Sequence, residues 1–115
     1  MPLLTLTTNI DVAADQQMPL LNKFSTLVAQ LLGKPESYVM VIFNTDHPLV
    51  MGGTNDPCAF LQLKSLGLPE DSTANLSAAL CDAVAEDLDI PANRIYIEFS
   101  NPDRHMWGWD RDAFG

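Results

Sequence analysis

Apolar residues recur along this chain with two alternating periods. PLLTLTT opens with strand-like spacing. Leu20, Leu21, Phe24, Leu27, Val28, Leu31 and Leu32 then follow three- and four-residue steps, which predicts a helix. Pro19 is expected in its first turn, where the missing N–H costs nothing. Gly33 is expected at its C-terminal stop. SYVMVIF reads as a second strand and CAFLQLK as a third, with Cys58 a buried strand residue. A second helix starts near Ser72 or Thr73, either able to cap it. Leu76, Leu80, Val84 and Leu88 form its stripe, Asp82, Glu86, Asp87 and Asp89 turn to solvent, and Pro91 ends it. NRIYIEF is the fourth strand.

The second run of elements repeats the first. Leu20, Phe24, Val28, Leu32 and Pro35 fall on Leu76, Leu80, Val84, Leu88 and Pro91 at an offset of 56 positions. Two βαβ units therefore span about residues 1–45 and 57–101 of a single domain covering residues 1–115, with a tail over 102–115. The fold class is α/β (α+β). Right-handed crossovers give a four-stranded mixed sheet with two helices on one face. Val39, Val41 and Phe43 alternate with Met40 and Ile42, so both faces of that strand are apolar. A face without a helix layer needs another cover, which predicts a homo-oligomer. DHPLVMGGTNDP joins the units, with Gly52-Gly53 a turn. The tail, HMWGWDRDAFG, is expected to lend a short strand to a neighbouring subunit.

Composition narrows the partners. Six Lys and Arg against fifteen Asp and Glu give a net charge of −9. Such a surface repels nucleic acid and anionic membrane. Cys58 and Cys81 make no disulfide framework. No signal peptide or bilayer-length apolar run is evident, so a cytoplasmic protein is expected. Phosphate-loop, dinucleotide and zinc-protease signatures are absent, and Leu61 leaves Cys58 outside any CxxC. His47 and His105 stand alone in polar stretches, so no metal site is expected.

What remains is Pro2. Methionine before a small second residue is normally removed, and removal exposes a secondary amine at the start of a strand. An ordinary α-amine titrates near 8, so work as a base near neutrality needs a lower pKa. Burial and a nearby cation both act in that direction. Lys34, at the end of the first helix, either complements the helix dipole or supplies that cation.

MPLLTLTTN, LLGKPESYVMV, MGGTNDPCAF, LKSLG, IPANRIYIEF and GWDRDAF, taken in order, resemble the family of macrophage migration inhibitory factor and D-dopachrome tautomerase, within the tautomerase superfamily. The resemblance implies trimers of βαβ–βαβ subunits and a cofactor-free keto–enol tautomerase acting on phenylpyruvate-like or dopachrome-type small molecules. It implies that Pro2 carries the proton and Lys34 binds the substrate carboxylate. Ser65 and Leu66 match the segment beside the pocket, with the Leu66 N–H offered to an anionic oxygen. Tyr96 matches a pocket tyrosine supplied by the neighbouring subunit, Trp109 and Phe114 an aromatic wall, and Tyr38 the rim. A protein receptor and secretion without a signal peptide are implied as well.

Four positions depart from that pattern. Glu98 replaces an asparagine at the far end of the pocket and, when ionised, cannot donate a hydrogen bond. Trp107 replaces a small aliphatic residue and narrows the mouth. Lys64 stands at a histidine position, and Leu61 removes a CxxC. Two other readings stay open: a cytokine-like protein-binding module, and a structural trimer with a vestigial site.

Overall fold

The computed structural model describes all 115 residues. Strand β1 (Pro2–Thr8) leads into helix α1 (Ala14–Leu32), and a 3-10 turn at Glu36–Tyr38 leads into β2 (Met40–Asn44). The second unit repeats this with β3 (Ala59–Ser65), α2 (Thr73–Leu88), a 3-10 turn at Ala92–Arg94 and β4 (Ile95–Ser100). The sheet order is β2-β1-β3-β4, with β1 parallel to β2, β3 parallel to β4, and the central pair antiparallel. The expected mixed sheet with two helices is therefore the observed architecture.

The repeat extends to details. α1 stops at Gly33 with φ +62°, and α2 stops 56 residues later at Asp89 with φ +56°. Each left-handed cap is followed two residues on by a proline and then by a 3-10 turn. At Gly33 the conformation is free of Cβ strain; Asp89 is one of the few other residues that tolerate it.

Alternation along the strands sorts side chains between two environments. Leu4, Leu6, Leu61, Leu63 and Ile95 face the helices and meet Phe24, Val28, Leu76, Leu80 and Val84 in one core. The opposite face carries three rows: Met40, Leu3, Lys64, Ser100; then Ile42, Thr5, Gln62, Glu98; then Asn44, Thr7, Phe60, Tyr96. No element of the chain covers it. Met40 is 61% exposed and Tyr96 66%, values suited to an interface rather than to a finished surface. The radius of gyration, 14.5 Å, exceeds the roughly 13 Å of a compact domain of this length.

Three local expectations are corrected. Pro19 is the sixth residue of α1, not a first-turn residue. The first turn, Ala14 to Gln17, is almost wholly polar and left no apolar signal. Pro19 is exposed, so water can take the carbonyl its ring leaves unpaired. Ser72 precedes α2 but makes no side-chain cap, because a 3-10 turn at Glu70–Ser72 leads into the helix. Asp87 is not a solvent residue: its side chain is only 10% exposed and pairs with Lys23 of α1 at 2.6 Å. The tail has two short strands of its own. Gly108–Trp109 (β5) and Asp112–Ala113 (β6) form a hairpin.

Cys58 is buried, as expected, but lies one residue before β3. Its carbonyl accepts from Thr8 Oγ1 at 2.7 Å and its N–H donates to Asn9 Oδ1 at 3.0 Å. Gly52 and Gly53, with φ +61° and +80°, make the expected turn between Met51 and Thr54. The Arg94 guanidinium holds that connection against β4, donating to the carbonyls of Met51, Thr54, Asp56 and Pro57. No helix is long and apolar enough to cross a membrane.

Candidate active site

Pro2 is the first residue of β1 and pairs across the sheet with Ser65, the last residue of β3. Both side chains are fully buried. Beside them opens a cleft of about 280 Å³, lined chiefly by Met1, Pro2, Tyr38, Met40, Trp107 and Trp109. Three separate stretches build it: the β1 start, the 3-10 turn before β2, and the C-terminal tail.

The tail forms an aromatic wall. Tyr38 meets Trp109 edge-on at 6.1 Å, and Trp109 stacks on Phe114 at 6.3 Å and 13°. The hairpin turn at Asp110 and Arg111 puts both central residues at positive φ, the backbone a two-residue hairpin needs. The Phe114 N–H donates to the Trp107 carbonyl at 3.0 Å and closes the tail on itself.

Lys34 follows the helix stop, its N–H held by the Ala29 carbonyl at 3.0 Å. Its side chain runs toward the Ser65–Gly67 corner. A Cβ on Gly67 would stand 3.7 Å from Lys34 Nζ. Ser65 Oγ donates to the Leu66 carbonyl at 3.1 Å, and Leu66 is itself buried. The amine in this cleft belongs to Met1. Burial holds its pKa below 8.0, and the positive charges of Lys34 and Arg104 push it further down. No cluster of His, Cys, Asp and Glu is arranged to hold a metal ion.

Pro2, Tyr38, Trp107 and Trp109 thus share one cleft, with Lys34, Ser65, Leu66 and Phe114 around it. Tyr96 and Glu98 do not join them. Both lie on the uncovered face, Glu98 accepting from Gln62 Nε2 at 3.1 Å. Tyr96 is level with Thr7, five residues along the strand from Pro2, or about 17 Å at strand spacing. It borders a different apolar cleft of about 280 Å³, with Val50, Met51 and Phe60. Sequence reasoning missed Arg104. It is the first cation of the tail, but its nearness to the chain start depends on how the tail folds back.

A four-stranded sheet of two βαβ units, with a cleft at the first residue of its first strand, defines the tautomerase-type fold. The particular family follows from comparison. The profile of macrophage migration inhibitory factor (MIF) matches residues 1–115. A macrophage migration inhibitory factor homolog of Trichinella spiralis is 44% identical over 99% of this chain and 100% of its own. The mouse macrophage migration inhibitory factor is 31% identical over 99% of each chain. Among solved structures, a homologue from Prochlorococcus marinus superposes with TM-score 0.91 at 35% identity, covering 98% of this chain and 99% of that one. The chain belongs to the macrophage migration inhibitory factor family.

Proposed function

We propose that this protein is a keto–enol tautomerase whose base is the Pro2 nitrogen, freed by removal of Met1, acting on phenylpyruvate-like or dopachrome-type substrates. The observation that carries this reading is a cleft at Pro2 with aromatic walls and two cations acting on the amine. Pro2 is more deeply buried than Met1, so the forces that lower the Met1 amine act on a prolyl amine there in the same direction.

The chemistry balances without a cofactor. The neutral proline nitrogen takes a proton from the carbon beside the substrate ketone. The C–H electron pair forms the C=C bond, and the carbonyl pair moves to oxygen. The nitrogen then returns its proton to that oxygen. Lys34 binds the substrate carboxylate, and the Leu66 N–H meets the developing oxyanion. Tyr38, Trp107, Trp109 and Phe114 flank the ring. Tyr96 and Glu98 complete the pocket from a neighbouring subunit of a homotrimer, whose contacts cover the open sheet face.

The test uses protein whose intact mass confirms loss of Met1. Pro2→Gly is expected to slow phenylpyruvate enolisation by roughly 100-fold or more. Equal rates for the two proteins would sink the proposal. A second reading, a protein-binding factor, is favoured by the name its relatives carry. Binding to a protein receptor that survives Pro2→Gly supports it.

A further inference from the structure

We propose that Arg104 forms a second anion-binding position at the mouth of the Pro2 cleft, and that the preferred substrate is a 2-oxo acid carrying a second carboxylate. The inference rests on the tautomerase reading and names its substrate class.

Three observations converge. First, Arg104 is held where it can meet a ligand. Its Cζ lies 5.8 Å from the centre of the Phe114 ring, Phe114 stacks on Trp109, and Trp109 lines the cleft. The guanidinium thus sits at the end of a continuous aromatic wall. Second, Arg104 is uncommitted. The chain has fifteen carboxylate side chains and six Lys and Arg, yet its one ion pair joins Lys23 to Asp87. The one guanidinium with internal hydrogen bonds, Arg94, spends its donors on backbone carbonyls. The Arg104 side chain makes no hydrogen bond to the protein, so its planar fork is free for a carboxylate. Third, it does not stand alone. Lys34 reaches the Ser65–Gly67 corner, so a second cation stands at this end of the sheet in a protein of net charge −9. One cation serves the 2-oxo acid's own carboxylate. Arg104, on the tail side, is placed for an acid on an aryl group lying along the wall.

The matched probes are phenylpyruvate and 4-carboxyphenylpyruvate, which differ by one carboxylate. Arg104 also lowers the amine pKa, so its removal changes turnover of both. That effect cancels in the ratio of the two kcat/KM values. Arg104→Gln is expected to lower the ratio for the dicarboxylate over the monocarboxylate about tenfold, chiefly through KM, and Arg104→Lys to restore part of it. An unchanged ratio overturns the proposal, whatever happens to the absolute rates.

Binding keeps this test separate from the catalytic one. Quenching of Trp107 and Trp109 fluorescence by 4-carboxycinnamate, which has no ketone to enolise, reports the anion position directly. Arg104-dependent binding without turnover of either probe supports the anion position and overturns the tautomerase reading. Binding of 4-carboxycinnamate no tighter than cinnamate in the wild type overturns the anion position.

Discussion

Lys34 acts through charge on the first amine of the chain, and the sign of that coupling is fixed. The Lys34 ammonium favours the neutral form of an amine in the cleft. Lys34→Ala therefore raises that amine's pKa, and the acid limb of the kcat/KM–pH profile moves to higher pH. Loss of carboxylate binding raises KM for phenylpyruvate as well. A limb that moved down or stayed fixed would separate Lys34 from the amine. The same coupling links to stability. An amine whose pKa falls below 8.0 on folding disfavours the folded state as pH drops through its folded pKa, and has no effect well above pH 8. Pro2, Lys34, Tyr38, Trp109 and Phe114 were each legible in the sequence as residue types in a familiar order. Arg104 was not, because its reach depends on a hairpin whose turn holds Asp110 and Arg111 at positive φ, a backbone no apolar periodicity announces.

Among the elements, the two units answer each other closely enough for one to correct the other. Asp89 occupies the left-handed cap that glycine holds in the first unit. Asp89→Gly relieves the Cβ strain and is expected to stabilise the protein by about 1 kcal/mol, read as a higher melting temperature at matched concentration. Leu80, fully buried between α2 and the sheet, lies at the centre of the core. Leu80→Ala is expected to cost about 2–5 kcal/mol in chemical denaturation. Arg94 illustrates what pattern reading misses at this scale. As a lone cation it offered no role, yet its four bonds tie the Gly52-Gly53 connection to the start of β4. Arg94→Lys loses the planar fork, and amides of residues 51–57 should exchange faster with deuterium.

At the scale of the whole molecule, the uncovered sheet face is the dominant fact. Only 20 of 115 residues are buried, so a single subunit is an incomplete core. Ile42 and Met40 lie in the exposed rows of edge strand β2. Ile42→Glu places a charge there and is expected to reduce a species near three times 12.6 kDa to a monomer in analytical ultracentrifugation. If Tyr96 completes the pocket from a neighbour, tautomerase activity falls with the trimer. A fully active monomer would refute the shared pocket.

The sequence alone determined the two βαβ units and the sheet with one helix layer. These follow from periodicity and from prolines and glycines whose backbone limits are local. It also marked Pro2 and Lys34 as candidates. Only the tertiary structure decided which residues meet. It brought Pro2 against Ser65, Tyr38 and the tail, separated Tyr96 and Glu98 from them along the sheet, and turned the tail on itself to bring Arg104 to the chain's first amine. Those contacts join positions as much as a hundred residues apart, and no repeating pattern along a chain encodes a distance between its ends.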